Sequence, residues 1–225
     1  MSDSFIEGLS RLELQLSEKA IKEEIRFLDE LLRWNQRINL TSIRNRDEAI
    51  EKHLLDSLLL LPHLHSAKQI IDMGSGGGLP GIPLAIALPT LQVVSIDSVG
   101  KKINFQKHIK RLLQLDNLTV VQSRMEDLEL GALDRGKCDL IVSRAFSSLE
   151  TSLYCALPWL KSGGRLLVMK GPEGRNELKT AEATIGSLGF TDPTILTYHL
   201  PFSQAERQLI VLRKQNPDFI GDNKS

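Results

Sequence analysis

The residues best spaced for chemistry are Asp72 and the glycines that follow it, in the run Ile70-Ile71-Asp72-Met73-Gly74-Ser75-Gly76-Gly77-Gly78-Leu79-Pro80-Gly81. Ile70 and Ile71 read as the end of a buried strand. Pro80 and the apolar set Ile82, Leu84, Ala85, Ile86 and Leu88 read as the helix that follows. The glycines therefore occupy a strand-to-helix turn. Glycine tolerates positive φ and lacks a Cβ, so a ligand can lie on the backbone, and the helix N-terminus offers unpaired N–H groups. That is the physics of a nucleotide-binding turn; its bland counterpart is a glycine-rich turn with no ligand. Leu79 stands where a dinucleotide fingerprint wants its third glycine. Asp72, two residues before the first glycine, repels a pyrophosphate and suits a ligand with a cationic end. S-adenosylmethionine (SAM) has an ammonium, a sulfonium and no phosphate, and so fits Asp72, Gly74, Gly76 and Gly78 better than a dinucleotide does.

Further candidates stand at predicted strand ends. Asp97 closes a strand over 92–97, one βαβ repeat after the glycines. A carboxylate there accepts both hydroxyls of an adenosine ribose, or caps the next helix. That helix, about 99–115, carries Lys101, Lys102, Lys107, Lys110 and Arg111 with no acid between them, which is either a solvated face or a phosphate-binding patch. After a strand over 118–121, Met125 and Glu126 border an adenine and Arg124 faces a substrate, or the stretch is a helix N-terminus with a favourable acid. Arg144 follows a strand over 138–142, the edge where transfer chemistry sits in such sheets. There is no Asp/Asn-Pro-Pro-aromatic box for an exocyclic amine and no cysteine at a strand end to attack a pyrimidine, so the acceptor atom is expected to carry a free lone pair. Phe146 is a stacking platform or a core aromatic. His53, Asp56 and Ser57 lie near one face of a helix predicted over about 48–61. Such close neighbours on one helix rarely align a nucleophile and a base, so they are read as positioning a ligand rather than as a hydrolytic triad.

The elements that must position these residues are an α-helical stretch over about 9–35, the helix over 48–61, and seven strands. The last two strands lack a crossover helix and form an antiparallel hairpin. The expected fold is α/β, a doubly wound seven-stranded class I SAM-dependent methyltransferase sheet with an N-terminal helical extension. Residues 1–65 form the extension, 66–215 the methyltransferase domain and 216–225 a polar tail. A chain of 225 residues with 41% apolar content buries a substantial core. Its 28 basic and 28 acidic residues cancel, so a polyanion has to be held by local patches. Cys138 and Cys155 follow no metal or redox spacing and no apolar run reaches about 18 residues, which points to a reducing, cytoplasmic setting away from membranes.

Several blocks in order resemble the glucose-inhibited division protein B family of bacterial 16S ribosomal RNA methyltransferases. They are Trp34-Asn35, Asn39-Leu40-Thr41, His53-Leu54-Leu55-Asp56-Ser57, Asp72 through Pro83, Asp97-Ser98, Gln122-Ser123-Arg124, Ser143-Arg144-Ala145-Phe146 and Lys170-Gly171. The resemblance implies methyl transfer from SAM to N7 of a guanine in small-subunit RNA. It implies cofactor contacts at Gly74, Leu79, Met125, Glu126 and Arg144, with Asp97 on the ribose. It sets His53, Asp56, Arg124, Arg144 and Arg207 around the target base or its phosphates. The partner it implies is 16S ribosomal RNA or an assembling small subunit, met by a monomer. Rival readings are a SAM-dependent methyltransferase of another substrate and a SAM-binding regulatory module.

Overall fold

The computed structural model describes residues 3–64, 67–128 and 134–215, the side chain of Asp192 excepted. Its centre is a seven-stranded sheet of β1 (Gln69–Met73), β2 (Gln92–Asp97), β3 (Leu118–Gln122), β4 (Cys138–Arg144), β5 (Leu160–Lys170), β6 (Phe190–His199) and β7 (Glu206–Lys214). The strand order is β3-β2-β1-β4-β5-β7-β6. The first five strands pair in parallel, and β7 runs antiparallel to both β5 and β6. The expected doubly wound sheet and terminal hairpin are both present. Strand order reverses between β1 and β4, and a crevice at the carboxyl ends of the strands is where ligands bind in such sheets. Parallel strands covered on both faces read as unbroken apolar runs, as Ile70-Ile71 and Leu140-Ile141-Val142 do, all at 0% exposure.

The helices depart from expectation at two places. The single helical stretch over 9–35 is two helices, α1 (Asp3–Arg11) and α2 (Glu18–Asn35). Glu13 adopts a left-handed φ of 55°, and the Ser17 side chain caps α2 by accepting the Ala20 N–H at 3.2 Å. The apolar period survives the break because Leu12 and Leu16 still pack on the core. The helix expected over 48–61 is α3 (Arg46–Ala49), capped by the Asn45 side chain on the Glu48 N–H, then a π-helical segment Ile50–Leu55 and α4 (Asp56–Leu58). A π-helical segment frequently marks a functional site, and this one carries His53 and delivers Asp56. The remaining helices are α5 (Gly81–Ala87), α6 (Gly100–Leu113), α7 (Leu149–Ala156), α8 (Gly174–Thr180) and α9 (Glu182–Ser187). Of these, α7 stops at Ala156 and Leu160 already belongs to β5, while α8 and α9 follow one another before β6.

One apolar cluster lies on each face of the sheet. On one side Phe5, Leu9, Phe27, Leu28 and Leu31 of the N-terminal helices share a cluster with Ile70, Leu84, Val93 and Phe105. On the other, Leu149, Leu153, Trp159 and Ile185 pack on Ile71, Ile141 and Leu166. Residues 3–64 are therefore bonded into the same core as the sheet. The expected boundary at 65/66 and the polar tail over 216–225 lie outside the described residues. The N-terminal layer also reaches the glycine turn: a Cβ on Gly77 would stand 3.0 Å from Leu31 Cδ1. Leu31→Ala is expected to cost about 2–5 kcal/mol through the cavity it leaves, measured by urea unfolding. A loss under about 1 kcal/mol would show that this layer is not part of the core.

Candidate functional site

The turn after β1 is built to hold an unusual backbone. Gly74, Gly76 and Gly78 have φ of 71°, 56° and 83°, values that only glycine adopts readily. Neighbours hold the turn in place. The Ser75 N–H donates to the Ile96 carbonyl at 2.9 Å and the Gly76 N–H to Asp97 Oδ2 at 2.8 Å. From α6, the buried Gln106 side chain donates to Ser75 Oγ at 2.7 Å and to the Gly76 carbonyl at 2.8 Å. Asp72, fully buried, accepts the Gly81 N–H at 2.8 Å, while its Oδ1 is buried with no partner among the described residues. Burial pushes the Asp72 carboxyl up to about 7 from an ordinary 3.8, against the pull of the Gly81 N–H and of Arg144. Asp72 is thus an anchor beneath the turn. Leu79 is 6% exposed and its side chain belongs to the core.

In front of the turn lies a cavity of about 360 Å³, lined by Gly74, Asp97, Lys102, Met125, Glu126 and Phe146 among others. Of the residues expected to hold SAM, Gly74, Asp97, Met125 and Glu126 line it. Asp72, Gly76, Gly78 and Leu79 shape the turn behind it. Asp97 fills the capping role left open for it, its Oδ1 accepting the Val99 N–H at 2.8 Å at the start of α6, and it also lines the cavity. Each of its oxygens keeps a second lone pair for a ligand hydroxyl. Phe146 lies against Gly74, since a Cβ there would come within 2.1 Å of the ring. Ala145 before it has a left-handed φ of 50°, a conformation that persists in a non-glycine residue only where its surroundings hold it.

These residues fit SAM, as a glycine cradle with a carboxylate at the end of the second strand. Lys102 is the one member of the basic run over 101–111 that lines the cavity. The sequence reading missed Gln106, whose signal was a polar side chain at an apolar position between Ile103 and Ile109.

Four of the five residues expected around the target base gather beside the end of β4. Asp56, 5% exposed at its side chain, accepts from Arg144 Nη1 at 3.2 Å and from Arg207 Nε at 3.1 Å. Arg144 Nη1 also donates to the Lys52 carbonyl at 2.8 Å, and its Nη2 stands 3.5 Å from His53 Nδ1. His53 Nε2 pairs with Thr41 Oγ1 at 2.8 Å. Burial, then the Arg144 guanidinium, drives the His53 imidazole down to about 4, so it is neutral at pH 7. Ser57 turns away and donates to the His53 carbonyl at 2.6 Å, which removes the hydrolytic trio. Arg124 stands apart on the cavity wall, exposed. Arg144 itself lies in the cluster, whereas the next residue, Ala145, lines the cavity.

A class I methyltransferase sheet with a ligand cavity at its switch point is what this geometry defines. A Methanococcus maripaludis protein assigned as an S-adenosyl-L-methionine-dependent methyltransferase shares the fold at a TM-score of 0.57 and 18% identity, covering 74% of this chain and 86% of that one. The chain belongs to the rRNA small subunit methyltransferase G family, which it matches over residues 20–210. It is 42% identical to the ribosomal RNA small subunit methyltransferase G of Syntrophotalea carbinolica, over 96% of this chain and 99% of that one. It is 41% identical to the protein of that name in Geotalea uraniireducens, over 93% and 94%.

Two expectations follow. Gly76→Val forces a β-branched residue into a left-handed φ; calorimetry is expected to show SAM affinity reduced tenfold or more in a protein whose circular dichroism is unchanged, and unaltered affinity would refute the placement. The native state holds a proton on Asp72 between about pH 4 and 7 that the unfolded chain has released. Its contribution to stability is complete below pH 4 and is lost as the pH rises through about 7. Asp72→Asn keeps an acceptor for Gly81, so the stability of wild type relative to this variant falls across that window in denaturant titrations; a flat difference would contradict the raised value.

Proposed function

We propose that the protein transfers a methyl group from SAM to N7 of a guanine in 16S small-subunit ribosomal RNA. The observation that carries this reading is the family match over residues 20–210, which spans the cavity and the arginine cluster together. Gly74, Asp97, Met125 and Glu126 would hold the cofactor, whose sulfonium carries a methyl group open to nucleophilic attack.

N7 of a neutral guanine has an unprotonated lone pair, so it needs no general base. The neutral, buried His53 is consistent with that requirement. What the chain must supply is alignment. Asp56 holds Arg144 and Arg207 in fixed positions, and each guanidinium retains donors for O6 of the base or for flanking phosphates. Arg124 serves the opposite wall, and Phe146 offers a face for stacking. A monomer is taken as the acting unit. Among the described residues no helix is long and apolar enough to cross a membrane. The place of action is the bacterial cytoplasm, where the substrate is free 16S RNA or an assembling small subunit.

Purified protein incubated with methyl-labelled SAM and unmethylated small-subunit RNA or subunits is expected to yield labelled N7-methylguanine. Absence of label in both substrates sinks the reading. Asp56→Ala frees both arginines and is expected to lower turnover roughly 100-fold, the scale of a small misplacement of aligned groups, with SAM affinity retained. Wild-type turnover in this variant would remove the cluster from the reaction.

A further inference from the structure

A second polar cavity, of about 450 Å³, opens at the opposite edge of the sheet, where β4 and β5 begin and β7 ends. Pro62, His63, Asp139, Lys161, Arg165 and Arg213 are among its lining residues. Its charge is not balanced. Lys161 is paired with Asp139, whose other oxygen accepts the Lys68 N–H at 3.2 Å. Arg165 and Arg213 have no carboxylate partner among the described residues, although they stand directly opposite one another in the antiparallel β5–β7 register. Like charges facing each other across strands destabilise a sheet. Burial and Arg213 both disfavour the charged form of Arg165.

Both guanidiniums are nevertheless held in place. Arg165 Nη2 donates to the His63 carbonyl at 2.8 Å and Arg213 Nη1 to the Gly163 carbonyl at 3.2 Å. Each uses one of five N–H donors on the backbone and keeps the rest free. Two oriented guanidiniums, mutually repelling and facing a polar cavity, form a site for an oxyanion with several acceptor oxygens.

We propose that this cavity binds phosphates of the substrate RNA backbone, a second contact remote from the reacting base. The inference rests on the RNA reading of the function and adds where the RNA runs. From Arg165 to Lys170, at the catalytic end of β5, is five residues of strand, or about 16 Å. A folded RNA bridges that span and a small acceptor does not. On a chain with no net charge, a local surplus of two positive charges is the kind of patch a polyanion requires.

The test is RNA binding by the double variant Arg165→Gln/Arg213→Gln, followed by anisotropy of a labelled unmethylated small-subunit RNA across a salt series. The affinity is expected to fall roughly tenfold and the slope of log affinity against log salt to drop by about two. The loss appears in Kd and in KM for RNA, while SAM affinity holds. Arg213→Gln alone, at an exposed side chain, is expected to lower the slope by about one and serves if the double variant does not fold. Calorimetry with inorganic phosphate distinguishes a free anion from RNA. Variants that bind RNA with wild-type Kd and slope overturn the inference, whether or not free phosphate binds. Wild-type protein that neither binds nor methylates the RNA fails at the proposed function instead.

Discussion

The grip of β2 on the turn that follows β1 is the constraint on which the site depends. Three glycines at positive φ form no regular ladder of their own: the Gly78 N–H bonds within the turn to the Ser75 carbonyl, and the Ser75 and Gly76 N–H groups have to find partners beside it. The end of β2 supplies them through the Ile96 carbonyl and the Asp97 carboxylate, α6 adds Gln106, and Asp72 closes the far side on Gly81. Each bond contributes about 1 kcal/mol net, yet each would leave a buried polar group stranded if broken. The same carboxylate that ties the turn also starts α6 and lines the cavity, so the shape of the cradle and the position of its acceptor are set by one side chain.

A second set of bonds joins the N-terminal layer to the catalytic edge. Asn35, the last residue of α2, accepts the Leu40 and Thr41 N–H groups on Oδ1 and donates to the Thr41 carbonyl. Thr41 then pairs with His53, which stands beside Arg144. Asp56 is nearly inaccessible and serves two guanidiniums at once. Removing one partner of such a buried arrangement leaves an uncompensated charge, a penalty far larger than that of a surface pair. The layer therefore acts on the site by fixing where the arginines point, and it carries two of the four residues that meet there.

The sheet was legible because its strands are short apolar runs that stop at acids, glycines or arginines, and β2 runs from Gln92 to Asp97 as read. The hairpin of β6 and β7 followed from the missing crossover. Helix ends were less legible. The apolar period runs through the break at 12–17 because packing, not backbone hydrogen bonding, sets that period, and a π-helical segment leaves no compositional mark. In the site, residue type and spacing pointed to Gly74, Asp97, Met125 and Glu126. They could not show that Asp72 lies under the turn or that Leu79 enters the core, because both depend on which way a side chain leaves a backbone of unusual φ. Gln106 and the Arg165–Arg213 pair were hidden for a related reason: residues 31 and 48 positions apart from their partners meet only in the folded sheet.

Charge neutrality of the whole chain conceals how the charges are distributed. Many of the acids are engaged close by in sequence along the N-terminal helices, in Arg11–Glu7, Lys19–Glu23, Arg33–Glu30 and Lys52–Glu48. Such exposed pairs add little stability, but they occupy acids that would otherwise screen bases elsewhere. At the carboxyl end of β4 a single carboxylate, Asp56, is shared by Arg144 and Arg207; at the other end Arg165 and Arg213 share none among the described residues. Guanidiniums thus outnumber carboxylates in both of these clusters, apart from the basic run over 101–111 on α6. A neutral protein organised in this way meets a polyanion through a few oriented donors instead of a diffuse field. Orientation of that kind is what a reaction dependent on alignment requires.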